Sequence, residues 1–224
     1  MKERLGREVI AMRAAKEFQD GDYINLGNGI PSLCASFIPE DKTVIFHAEL
    51  GVLGFGPVLT EEESDKADLY LLNAGGQFIS PAPGICFFDH ATAFGMVRGG
   101  HVDITVLGGL QVSEKGDLSN WSTTGELADA GPGGAFDMAV GAKKIVVSME
   151  HNNKKGEPKI VRNCTYPLTA KECVNLIVSD LAVIEVNQEG LLLKEIAPGW
   201  TIEEVQSMTE PTLLIDQNLE IMHL

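Results

Sequence analysis

Short apolar runs that stop where glycines begin constrain the fold of this chain more than any other feature. Residues 23–26 run into Gly27-Asn28-Gly29, residues 43–46 lead through Glu49 to Gly51, Gly54 and Gly56, and residues 102–107 meet Gly108. Residues 143–149 form a fourth run of the same kind. Continuous β-branched stretches of this length suit interior strands covered on both faces, and glycines at their ends permit turns and close approaches that side chains would block.

Helical patterns lie between them. Leu5, Val9, Met12, Ala15 and Phe18 recur at helical spacing, residues 87–97 read as a helix with Asp89 at its start and Gly99-Gly100 past its end, and residues 136–140 follow a glycine-rich loop. Strands alternating with helices predict an α/β fold: a single open, largely parallel twisted sheet with helices on both faces. Two hairpins are added to it, Gln111-Val112 with Leu118-Ser119, and residues 181–186 with 191–196 about Gly190. Residues 68–72 read as a further strand ending at Asn73, residues 174–178 fit a helix or a strand, and residues 212–215 fit an edge strand. Thr201-Ile202-Glu203-Glu204 is a capping box. No repeat or linker divides the chain, so residues 1–224 are expected to form one domain.

Composition narrows the function. The net charge of −15 argues against nucleic acid, whose binding needs a basic face. No apolar run reaches the roughly 18 to 20 residues that span a bilayer, and the charged start of the chain leads into no signal core, so no membrane association and a cytoplasmic location are expected. Cys34, Cys86, Cys164 and Cys173 form no C-x-x-C pair and read as buried reduced thiols, with no metal site.

Glu49 stands at the seam between the run 43–46 and its glycines. In an open α/β sheet ligands collect outside the strand ends, so an acid there is a candidate for chemistry; a helix cap or surface ion pair is the alternative. Gly27 and Gly29 open a second such turn, with Ser32 near the start of the helix that follows. Its G-x-G echo of a dinucleotide site lacks a third glycine. The long loop from Ser122 to Gly133 and Gly134 is expected to be ordered, with its amides facing a ligand.

Taken in order, these motifs resemble the family I CoA-transferases, specifically the B (β) subunit of the 3-oxoacid type. The resemblance rests on Asn25-Leu26-Gly27-x-Gly29-Ile30-Pro31, Glu49-x-Gly51-Val52-Leu53-Gly54-x-Gly56-Pro57, Asn73-Ala74-Gly75 and Arg98-Gly99-Gly100-His101-Val102-Asp103. It continues through Leu107-Gly108-Gly109-Leu110-Gln111-Val112, Gly116-Asp117-Leu118-Ser119-Asn120-Trp121, Gly133-Gly134-Ala135-Phe136-Asp137 and Met149-Glu150-His151, and closes on Cys164-Thr165-Tyr166-Pro167-Leu168-Thr169.

The resemblance implies that Glu49 is a nucleophile that carries CoA as a glutamyl thioester, and that the Gly134 N–H stabilises an oxyanion. Gly27, Gly29, Gly51, Asn73, Gly75 and Gly133 are the implied substrate and CoA contacts. Coenzyme A is then a substrate and no cofactor is required. The implied substrates are an acyl-CoA and a carboxylic acid of the acetoacetate, butyrate or 3-oxoadipate class. The implied partner is an A (α) chain in a heterotetramer, a homo-oligomer being the alternative. The chain departs from the pattern in two places: Ala48 and Leu50 replace the usual Ser and Asn beside the nucleophile, and Gly76 replaces a Lys. A weakened or regulatory chain that mainly binds its partner is therefore the second reading, and a nucleotide-binding oxidoreductase the third.

Overall fold

The computed structural model describes residues 2–73, 75–126, 131 and 133–223. In chain order its elements begin with α1 (Arg7–Ala15), β1 (Tyr23–Leu26), α2 (Ile30–Leu33), β2 (Ile45–Ala48), β3 (Val52–Leu53), β4 (Cys86–Phe87), α3 (His90–Arg98) and β5 (Ile104–Leu107). They continue with β6 (Gln111–Ser113), β7 (Leu118–Ser119), α4 (Ala135–Gly141), β8 (Lys144–Met149), β9 (Ile160–Val161) and β10 (Leu176–Ser179). The last are β11 (Ala182–Asn187), β12 (Gly190–Ile196), α5 (Ile202–Ser207) and β13 (Leu213–Ile221).

Ten strands form one sheet in the order β13-β12-β11-β10-β8-β5-β1-β2-β3-β4. The five at its centre, β10, β8, β5, β1 and β2, are parallel. Antiparallel pairing appears outside them, at β10 with β11, β11 with β12, β2 with β3 and β3 with β4. The hairpin of β6 and β7 does not join this sheet; with β9 it makes a second, three-stranded one.

Alternate residues of the central strands enter two cores, as period-two geometry requires. Ile24, Phe46, Ile104, Val106, Val146 and Val178 pack with Ile10, Ala11, Ala14 and Phe18 of the first helical region and with Ile30 of α2. Leu107, Ile145, Val147, Met149 and Ile177 pack with Phe94 and Val97 of α3, Met138 and Ala139 of α4 and Val205 of α5. Helices therefore cover both faces. Each fully buried Ile, Leu or Phe contributes about 1.5–3 kcal/mol, and this two-sided burial holds the parallel centre together.

Several local expectations match the structure. Asp89 caps α3 by accepting from the Thr92 N–H at 2.7 Å, and the Thr201 capping box starts α5. The region 174–178 resolves to strand β10, and the expected edge strand extends over Leu213–Ile221. Four expectations need correction. The helix expected over residues 87–97 begins at His90, because Cys86 and Phe87 pair with β3 as strand β4. Residues 68–72 form no strand; Leu69 and Tyr70 sit in a turn, 73% and 95% exposed, with one isolated bridge from Leu72 to Phe78. The buried residues of α1 are Ile10, Ala11, Arg13, Ala14 and Ala15; of the expected face Ala15 and, past the helix end, Phe18 are buried, whereas Val9 and Met12 are only half-buried. Among the cysteines Cys34 alone is buried, its thiol pushed up to about 12 by burial, whereas Cys86 is exposed. Among the described residues no helix is long and apolar enough to cross a membrane.

Candidate active site

Glu49 follows β2 directly and heads the short loop to β3, in which Ala48 pairs with Val52. The Gly51 N–H closes the loop on the Ala48 oxygen at 3.0 Å, and Gly51 takes a φ of +108°. A Cβ at Gly51 would lie 2.0 Å from the Phe88 oxygen, so no other residue fits. Gly51 thus builds the turn from behind, while the Phe88 N–H donates to its oxygen at 2.9 Å.

The carboxylate of Glu49 is held from the side. Asn25 Nδ2 donates to Glu49 Oε2 at 3.2 Å. The other oxygen, Oε1, lies 3.4 Å from where a Cβ on Gly134 would stand, so Gly134 and Glu49, distant in sequence, face each other across the site. Gly134 is the N-cap of α4, preceded by Gly133 at a φ of +56°, which favours glycine.

Two cavities meet at this carboxylate. One, of about 340 Å³, is walled by Asn25, Gly27, Asn28, Leu107, Asn120 and Trp121, with Gly133 and Gly134. A Cβ at Gly27 would stand 3.2 Å from the Val106 oxygen and 3.5 Å from Leu107 Cδ2, so the backbone there packs closely against β5. Asn120 is oriented by the Thr169 hydroxyl, which donates to its Oδ1 at 2.6 Å, and the buried Trp121 Nε1 has no acceptor among the described residues. The other cavity, of about 510 Å³, is walled by His90, Phe94, Arg98 and Asp137, again with Gly133 and Gly134. The two glycines form the divide between them.

The fold therefore brings Gly27, Glu49, Gly133 and Gly134 onto one cavity. The remaining expected contacts are set back from it. Gly29 shapes the entry to α2 at a φ of +81°. Asn73 Oδ1 accepts from the Gly75 and Gln77 N–H groups, making a side-chain-closed turn. A Cβ at Gly75 would come within 2.7 Å of Asn28 Oδ1, so this turn backs the cavity wall through Asn28. Ala74, and residues 127–130 and 132 of the loop expected to face a ligand, lie outside the described residues.

The chain matches the family described as Coenzyme A transferase over residues 7–207. It belongs to the coenzyme A transferase family. This transferase is 46% identical over 211 residues to the B subunit of the 3-oxoadipate CoA-transferase of Acinetobacter baylyi, covering 94% of this chain and 96% of that one. It is 45% identical over 218 residues to the mitochondrial succinyl-CoA:3-ketoacid coenzyme A transferase 2B of Mus musculus, covering 96% of this chain but 41% of that longer one. The fold is shared with the acyl-CoA transferase apoenzyme from Escherichia coli O157:H7, at a TM-score of 0.74 and 20% identity, covering 100% of this chain and 45% of that one.

The sequence motifs of the transferase include Asn25 without giving it a role, and they do not mark His47, His90 or Phe94. Asn25 was visible as a polar residue inside an apolar strand, the one local hint of a site. His47 is 2% exposed, and burial first of all draws its pKa below the ordinary value of 6.5 against the opposing effects of the Ala93 carbonyl and Glu49. Of the two departures from the family pattern beside Glu49, Ala48 is buried, whereas Leu50 is 55% exposed.

Proposed function

We propose that this chain is the B (β) chain of a CoA-transferase that moves CoA between an acyl-CoA and a short 3-oxoacid or related carboxylic acid, with Glu49 as the covalent nucleophile. The observation that supports this best is the placement of the Glu49 carboxylate between Asn25 and Gly134 where two cavities meet. A carboxylate is a weak nucleophile, so it must be held ionised and oriented at the thioester, with donors ready for the tetrahedral oxyanion.

Glu49 attacks the acyl carbonyl carbon and the CoA thiolate leaves, giving an acyl-glutamyl anhydride. The thiolate then attacks the glutamyl carbonyl carbon and expels the acyl group as its carboxylate, leaving the glutamyl-CoA thioester. The incoming acid reverses both steps. The Gly134 N–H serves the oxyanion of the acyl carbonyl. The acceptor is a 3-oxoacid of the 3-oxoadipate or acetoacetate class, as the names of the relatives support. An A (α) chain completes the site, in keeping with the Acinetobacter relative's being one chain of two kinds and with the longer relatives that this chain only partly spans.

The test is to incubate the co-expressed A and B chains with acyl-CoA and measure the mass of the Glu49 peptide. A CoA adduct, reducible by borohydride and missing in Glu49→Ala, is the expected result. If no adduct forms while the assembled complex is intact, the chain instead serves mainly to bind its partner. A panel of acceptors against acetyl-CoA and succinyl-CoA then sets the substrate.

A further inference from the structure

A row of three polar side chains crosses the middle of the sheet beneath Glu49. β1 runs parallel to both β2 and β5, and the registers set Asn25 opposite His47 on one side and Thr105 on the other. All three are buried, Asn25 and His47 at 2% exposure and Thr105 at 0%. Leaving a polar group this deep unpaired costs free energy, and each of these three is paired.

The pairing fixes directions. The Thr105 hydroxyl donates to Asn25 Oδ1 at 3.2 Å, which turns the amide so that its NH2 faces the other way. One N–H of that NH2 donates to Glu49 Oε2 at 3.2 Å, and the other is shared between the His47 backbone oxygen at 3.2 Å and His47 Nδ1 at 3.3 Å. His47 Nε2 sits 3.2 Å from the Ala93 oxygen, which can only accept. The network therefore assigns the ring proton to Nε2 and leaves Nδ1 as an acceptor, the tautomer that suits an incoming amide N–H.

We infer that His47, acting through Asn25, is a positioning residue for the nucleophile. Its Nδ1 lone pair keeps the Asn25 amino group turned toward Glu49, so that Oε2 is engaged and Oε1, the oxygen beside Gly134, is the one that attacks. The inference rests on Glu49 being the nucleophile. It gives the site a proton-dependent element, because an imidazolium has no lone pair and its Nδ1–H would oppose the amide N–H. The ring is surrounded by Asn25 and Tyr23 of β1, Leu53 of β3, and Ala93 and Met96 of α3. The titratable groups near it are Glu49, and Tyr23, His101, Asp103 and Lys143 on the wall of a cavity of about 530 Å³ that the ring also lines. Asp103 and Lys143 pair with each other at 2.7 Å. Burial holds the ring neutral to below the ordinary histidine value of 6.5, so the acceptor is intact near neutral pH and is lost as pH falls through that lowered value.

The experiment uses the assembled complex and compares the wild type with His47→Leu and His47→Asn. Glu49 adduct formation is followed in a single turnover with acyl-CoA, alongside kcat and KM across pH. His47→Leu is expected to slow the adduct about 10- to 100-fold with KM nearly unchanged, since a misdirected reacting group costs rate more than binding. His47→Asn keeps an acceptor near the place of Nδ1 and cannot be protonated; it is expected to recover most of the rate and to lose the acid limb that the wild type shows below about pH 6.5. A wild-type adduct rate in His47→Leu overturns the inference. So does an unchanged acid limb in His47→Asn, which decides the matter alone if the leucine variant does not fold. Absence of any adduct in the wild type overturns the Glu49 reading itself, and the inference with it.

Discussion

His90 Nδ1 lies 2.7 Å from the backbone oxygen of Glu49, so the first residue of α3 grips the turn that carries the carboxylate. A carbonyl only accepts, hence Nδ1 is the protonated nitrogen. The ring also packs edge-on to Phe94, with centroids 4.6 Å apart. His90→Ala is expected to lower kcat about tenfold while costing about 1 kcal/mol of stability, the worth of one partly solvated hydrogen bond. Steady-state kinetics and a thermal melt of the variant measure the two effects separately.

Gly51 and Gly29 both hold positive φ, yet they face different surroundings. A Cβ at Gly51 would meet the Phe88 oxygen at 2.0 Å, whereas one at Gly29 would meet nothing within 4 Å. Gly51→Ala should therefore cost more than about 2 kcal/mol and abolish activity, through both backbone strain and displacement of the turn. Gly29→Ala should cost only the backbone strain, about 1–2 kcal/mol. Equal denaturant midpoints for the two variants would contradict this account.

Gly134 behaves in the opposite manner, because its φ of −76° is open to any residue. An added Cβ would stand 3.1 Å from Phe94 Cζ and 3.4 Å from Glu49 Oε1. Gly134→Ala is expected to stay folded, within about 1 kcal/mol of the wild type, and to lose about 10- to 100-fold in kcat by crowding the attacking oxygen. Far-ultraviolet circular dichroism and turnover on the same sample test the pair of expectations.

His151 is wholly buried, with Ser179 Oγ 2.9 Å from Nδ1 and Thr209 Oγ1 2.8 Å from Nε2. Burial lowers its pKa from 6.5 to about 4. Between these values the unfolded chain binds a proton that the folded chain does not, so stability is full above pH 6.5 and falls as pH drops toward 4. The loss amounts to about 3 kcal/mol at the lower end. Urea unfolding at several pH values should show this decline, and His151→Gln, which cannot titrate, should flatten it.

The positions of β1, β2, β5 and β8 were legible in the chain because a strand buried on both faces must be apolar at successive residues, and the glycines beyond them mark where turns are allowed. Glu49 at the end of β2 could be read for the same reason. Residues 68–72 misled, since an apolar run reports what a segment could bury and not whether a neighbouring strand is there to pair with it; Leu69 and Tyr70 have none. The face of α1 was legible at Ala15 and Phe18, which are buried, and missed at Val9 and Met12, because the small Ala11 and Ala14 let the helix approach the sheet on a side that those larger residues do not mark.

By itself the sequence determined the alternation of strands and helices, the capped helix starts, the glycine that only one turn can use, and the acid that turn presents. These are local properties, set by side-chain shape and by allowed φ and ψ. Only the tertiary structure decided that Gly134 faces Glu49, that His90 grips its backbone, and that Thr105, Asn25 and His47 stand in one row beneath it. Those contacts depend on strand register and helix docking, which arise from the summed burial of two cores and which no single segment encodes.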